Sequence, residues 1–252
     1  MSINYPRPPI TEAVIEIRLD QPVPKVSLDK VRARALKKYP LSDELSSVGV
    51  LFEPEKAAAR VKQEWIGYKL TNVDSTDILM LQSQAFSTSR LAPYPGWESF
   101  CGNARQEWNE WKREVGYIKV IRIGVRYINR LDIPVENDGF IRVEDYLKLY
   151  VQLPNFETAM TGLPIAPKMA DFTTQVHMHL SNDQCELTIN SSSIPSPLVK
   201  HLSLVLDIDV SRQREVPQHD EEIWALIDRI RDYKNHIFEE SITEAAREIF
   251  LK

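Results

Sequence analysis

Residues 118–133 alternate with a period of two, with Ile121, Ile123, Val125, Tyr127 and Leu131 on one side and Arg122, Arg126 and Arg130 on the other. A period of two belongs to extended backbone, and a strand this long with one apolar and one polar side fits a sheet covered on a single face. Four residues of strand span about 13 Å, so the three guanidiniums form a row over roughly 26 Å. Gly124 falls on the arginine side and leaves the backbone open there.

The rest of the chain supplies the remaining parts of such a sheet. Residues 12–20 also alternate, with Ala13, Ile15, Ile17 and Leu19 opposed by Glu12, Val14, Glu16 and Arg18. Residues 27–39 read as a helix opened by Ser27 or Asp29 and closed by Tyr39-Pro40, with Leu28, Val31 and Ala35 on one stripe. Strands over 47–53, 60–71 and 77–88 follow, parted by Pro54-Glu55-Lys56 and Asn72-Val73-Asp74-Ser75, an antiparallel meander. From Trp97 the residues Phe100, Cys101, Ala104, Trp108, Trp111 and Val115 recur at helical spacing up to Gly116, with Trp111 expected at the exposed border.

After Gly116 the order starts again. The strand at 118–133 precedes a short helix at 142–151, strands at 171–180, 184–191 and 200–210, and a helical segment over 220–250. Ser241 and Glu244 have capping-box spacing and start a second helix, so the long one is expected to break near Asn235. Residues 153–169, with three prolines and no periodicity, read as an inserted loop. The expected fold is α+β, with two pseudo-repeated β-α-βββ-α halves, 1–116 and 117–252, packed as one globular unit. They share an extended antiparallel sheet with helices on one face, the shape of helix-grip and TATA-binding-protein-like folds.

Charge narrows the partners. Lys plus Arg is 31 against 36 for Asp plus Glu, a net charge of -5, so there is no global basic field to draw in nucleic acid. Eight glycines against 16 prolines leave no glycine-rich loop to cradle phosphates, and no cofactor is implied. The candidate binding residues are Arg122, Arg126 and Arg130 with Glu12, Glu16 and Arg18. Either Glu12 and Glu16 neutralise the arginines across neighbouring strands, or the guanidinium forks take an anion, a carboxylate-bearing peptide or phosphate. His177 and His179 form an HxH pair able to reach one metal, with Asp207 or Asp209 as a third ligand. Paired histidines on a polar strand are more often plain surface residues, and no metal is assigned.

Cys101 and Cys185 sit in no CxxC context, which fits a reducing cytoplasm and excludes a disulfide scaffold. No apolar run of about 18 residues occurs, and the first residues lack signal-peptide features, so no membrane role is expected. Trp224 and Tyr233 widen the apolar face of the last helical segment beyond one contact surface, which makes a homodimer an alternative.

Four segments carry a resemblance. Tyr5-Pro6-Arg7-Pro8-Pro9-Ile10-Thr11-Glu12-Ala13-Val14-Ile15-Glu16-Ile17-Arg18 resembles the opening of a sporadically distributed bacterial family of about 250 residues with no assigned function. Pro93-Tyr94-Pro95-Gly96-Trp97-Glu98-Ser99-Phe100, Arg122-Ile123-Gly124-Val125-Arg126-Tyr127-Ile128-Asn129-Arg130 and Asn235-His236-Ile237-Phe238-Glu239-Glu240-Ser241-Ile242-Thr243 are similar to its pattern. The similarity weakens over 40–75 and 150–200. It implies a bacterial, cytosolic, globular protein and brings no catalytic residue; its patchy distribution associates it with accessory or defence-linked genes. The expected function is a non-enzymatic binding or regulatory protein, antitoxin-like in kind, whose arginine-striped face takes a protein or anionic partner. The alternatives are a metal-assisted hydrolase or nucleotide-processing enzyme using His177, His179 or Asp209, and nucleic-acid binding through the same face.

Overall fold

The computed structural model describes residues 5–53, 58–135, 141–152 and 171–251. In chain order the elements are β1 (Ile10–Leu19), α1 (Lys25–Ala35), β2 (Leu41–Glu53), β3 (Ala58–Thr71), β4 (Asp77–Gln82), β5 (Ala85–Leu91) and α2 (Trp97–Val115). They continue with β6 (Val120–Pro134), β7 (Thr173–Leu180), β8 (Cys185–Pro195), β9 (His201–Arg212), α3 (Asp220–Ser241) and α4 (Glu244–Leu251). The fold is α+β, with one nine-stranded antiparallel sheet in the order β2-β3-β4-β5-β1-β6-β9-β8-β7. Two compact units divide it. One comprises Glu12–Gly124 and Arg212–Ile227, the other Met1–Thr11, Val125–Ser211 and Asp228–Lys252. No helix among the described residues is long and apolar enough to cross a membrane.

In the first unit the alternation of β1 becomes burial: Ala13, Ile15, Ile17 and Leu19 are all fully buried. The helix α1 buries Leu28, Val31 and Ala35 as expected, but neither Ser27 nor Asp29 caps it; Pro24 occupies the N-cap and Asp29 instead accepts the Tyr68 hydroxyl. The meander has four strands, not three. The stretch 77–88 is split by a two-residue turn, Ser83-Gln84, with Gln82 opposite Ala85. Ser83 is a common turn residue, but the pair contains no Gly, Asn or Asp, the residues that mark a two-residue hairpin turn. Tertiary hydrogen bonds hold the turn instead, from Ser83 N to Ile66 O at 2.8 Å and from Val23 N to Ser83 O at 2.6 Å. Trp111 is not at an exposed border. It is buried and stacked on Trp108 at 4.8 Å with an 8° interplanar angle, and the Phe86 ring meets both indoles edge-on.

In the second unit the residues Val125, Tyr127, Leu131 and Ile133 of β6 are buried together with Leu204, Leu206, Ile208 and Val210 of β9 and Leu187 and Ile189 of β8. The expected helix at 142–151 is reduced to one 3-10 turn, Val143–Asp145. Leu147 N still bonds back to Val143 O at 2.9 Å, but beyond it the turn does not continue: Leu147 forms a β-bridge with Ile242, and Lys148 N donates to Ser241 O at 2.8 Å, at the α3–α4 junction. The long helix runs through Asn235 and ends at Ser241. Ser241 does not cap the next helix, because its hydroxyl turns back to the Ile237 carbonyl at 2.7 Å. Thr243 caps α4, its Oγ1 accepting from Ala246 N at 3.3 Å. The inserted loop expected at 153–169 lies outside the described residues.

Candidate functional site

β6 carries all three arginines, and each has a carboxylate. In the first unit, Arg122 Nη1 donates to Glu16 Oε1 at 2.6 Å, and Arg18 Nε reaches the same oxygen at 2.7 Å. Gly124 does not leave the backbone open: the Arg122 guanidinium lies over it, and a Cβ there would collide with Nη1. Ile121, expected on the apolar side, is 41% exposed. Glu12 makes no ion pair among the described residues.

In the second unit, Arg126 Nε and Nη2 donate to the two oxygens of Asp207, each at 2.7 Å, a bidentate fork onto a buried carboxylate. Arg130 turns to Asp132 two residues on, with Nη2 at 3.2 Å. Asp132 also accepts the hydroxyls of Ser203 at 2.5 Å and Ser196 at 3.0 Å. Burial of Asp132 opposes its ionisation, but the bonds from Ser203 and Ser196 and the Arg130 charge outweigh it and hold the carboxyl below its ordinary value.

From Asp207 the bonding continues across the sheet. Asn190 Nδ2 of β8 donates to Asp207 Oδ2 at 2.9 Å, and Gln175 Nε2 of β7 donates to Asn190 Oδ1 at 2.7 Å. His177 Nε2 lies 3.0 Å from Gln175 Oε1, and its Nδ1 lies 3.0 Å from Thr188 Oγ1. An amide oxygen only accepts, so Nε2 carries a proton. Arg126, Asp207, Asn190, Gln175, His177 and Thr188 therefore form one hydrogen-bonded chain across β6, β9, β8 and β7.

This arrangement does not bring the histidines to a metal. His179 pairs with Glu186 at 2.5 Å, Asp207 belongs to Arg126, and among the described residues no three His, Cys, Asp or Glu side chains form a cluster able to hold an ion. Cys101 and Cys185 are buried free thiols. In the first unit a cavity bounded by Trp108, Lys112, Gln218 and Asp220 has a volume of about 10 Å³, room for no more than one water.

On the covered side of β6 is a residue that belongs to no chemical motif in the sequence. Lys234 of α3 is buried, with Nζ 3.6 Å from the Tyr127 ring centroid. Burial, reinforced by the like charge of Arg231 and only partly offset by Glu239, lowers its amine to about 7. The signal was available: Lys234 stands four residues after Ile230 and seven after Ile227, on the apolar stripe itself.

The resembling segments are brought into packing contacts. Tyr5 hydroxyl donates to Glu239 at 2.9 Å and its ring meets Phe238 and Phe250, tying the opening motif to the C-terminal one. Burial and the Glu239 bond push the Tyr5 phenol up to about 12. Arg247 closes the same cluster on Glu239 at 3.0 Å. In the other unit Tyr94 and Trp97 both pack edge-on against Phe100. No protein-family model and no curated protein matches the chain.

Proposed function

We propose that the chain is a non-enzymatic binding protein, regulatory or antitoxin-like in kind, that docks a polar protein surface on the open face of β6, β9, β8 and β7. The observation that carries this reading is the hydrogen-bonded chain from Arg126 to Thr188. Side chains that hold one another in place lose little freedom on binding, and all of them except the buried Asp207 are half-buried to exposed. Both signs of charge are present, Arg126 and Arg130 against Asp132, Asp207 and Glu186. A protein surface of mixed sign complements that pattern better than a phosphate backbone does.

The reading keeps the protein in the cytoplasm, which free thiols fit. It also treats the recurrence of strand, meander and helix on either side of Gly116 as a pseudo-repeat, with one extra strand in the first half. The experiment is capture from a bacterial lysate with the tagged chain as bait, compared with Arg130→Glu, His177→Glu and the remote Lys62→Glu. A partner retained by Lys62→Glu and lost with both face variants, at unchanged melting temperature, is the expected result. Equal capture by all four baits, or none by any, overturns the reading.

A further inference from the structure

The sheet ends on β2 in one unit and β7 in the other. β2 carries Asp43, Glu44 and Glu53, and its register with β3 shifts between Leu45 and Ser46. Charge and a bulge are the usual means by which an edge strand refuses a further strand. β7 has neither. Its sequence, Thr173-Thr174-Gln175-Val176-His177-Met178-His179-Leu180, contains no Asp, Glu, Lys, Arg or Pro, and its pairing with β8 runs unbroken from Thr173↔Ser192 to Leu180↔Cys185. Among the described residues β8 is its sole neighbour.

The apolar side of β7 is also incompletely covered. Val176, Met178 and Leu180 lie opposite Ile189, Leu187 and Cys185, all three of which are buried. On β7 itself Val176 and Leu180 are half-buried and Met178 is 41% exposed. The apolar layer of the sheet therefore extends one strand beyond its cover.

We infer that β7 pairs antiparallel with β7 of a second copy, about a two-fold axis normal to the sheet. Such an axis keeps each face of the sheet on its own side, so opposed residues share parity. Centred on His177, it sets Val176 against Met178 and Thr174 against Leu180 on the apolar side, and Gln175 against His179 on the polar side. Each face thus meets the same face of the copy, and no formal Asp, Glu, Lys or Arg charge lies on the seam. That matters for self-pairing, in which any charge on the strand meets the same charge of the copy, and β7 has none to set against itself. The same operation on β2 would bring Asp43 and Glu44 of both copies onto the seam.

Sedimentation equilibrium of the full chain from about 1 to about 200 µM tests the inference. The expected result is a concentration-dependent doubling of the 29.1 kDa mass. Met178→Lys and His177→Lys, which set like charges along the seam, should each weaken the dimer at least about tenfold. Val48→Lys in β2 should leave it unchanged, and so should Arg130→Glu, which separates this contact from the face proposed above. Hydrogen exchange needs no variant: amides of residues 173–180 should gain protection as concentration rises. A monomeric mass throughout, unchanged exchange in β7, or a dimer broken by Val48→Lys but not by Met178→Lys overturns the inference.

Discussion

Arg126 and Tyr127 are consecutive on β6, and the two cations at these positions, Arg126 itself and Lys234 over the Tyr127 ring, are accommodated by opposite means. On the open side Arg126 keeps its charge: its guanidinium is 47% exposed and forks onto Asp207, whose side chain is 8% exposed. On the covered side Lys234 is 5% exposed, lies over the Tyr127 ring, and has no carboxylate within ion-pair distance among the described residues. One strand thus shows both solutions to a charge at a sheet. Where water is near, the charge is matched by a buried counter-charge; where it is absent, the amine tends to give up its proton. The difference locates the vulnerable member of each arrangement, the acid on one side and the base on the other.

The largest effect should come from removing the exposed partner of the buried acid. Arg126→Ala leaves Asp207 buried with Asn190 as its remaining named donor, and should cost about 3 kcal/mol in chemical denaturation. Asp207→Ala should cost less, about 1–2 kcal/mol, because the half-exposed guanidinium can turn to water. If the two variants lose equal stability, the burial asymmetry is not what matters at this pair.

The covered side makes a prediction in pH. The amine of Lys234 is lowered to about 7 in the fold from an ordinary 10.5, so between these values the unfolded chain binds more protons than the folded one. Stability contributed by this residue must therefore rise with pH across that window, and its full penalty applies below pH 7. From pH 7 to pH 9 the wild type should gain about 2 kcal/mol relative to Lys234→Met. Parallel stability curves for the two proteins would show that Lys234 keeps its proton and that the two sides of β6 do not differ in this way.

What the sequence disclosed follows the same division. The alternation of β1 and β6 was legible because a half-buried strand writes its burial into every second residue, and neutralisation of the arginines by Glu12 and Glu16 was one of the two readings it left open. The Arg126–Asp207 pair was not, although Arg126 stands on the polar side of its strand and Asp207 is a candidate ligand. Their meeting depends on β9 lying beside β6, and strand order leaves no local mark. The turn at Ser83-Gln84 and the bridge at Leu147 were missed for a related reason, since distant backbone groups hold both. Lys234 is the opposite case, a local signal on an apolar stripe that a search for chemical motifs passes over.

The smallest effect separates the two glutamates that strand parity treated alike. Glu16 accepts Arg122 and Arg18, whereas Glu12, four residues earlier on the same side of β1, accepts no cation among the described residues. Arg122 is 12% exposed, so losing Glu16 strips a counter-charge from a mostly desolvated guanidinium, and Glu16→Ala should cost about 1 kcal/mol. Glu12→Ala should stay within about 0.5 kcal/mol of wild type in the same denaturation series. A larger loss at Glu12 than at Glu16 would mean that the arginine row is neutralised from the other end of β1. The pairing of charge with burial on this face would then have to be redrawn.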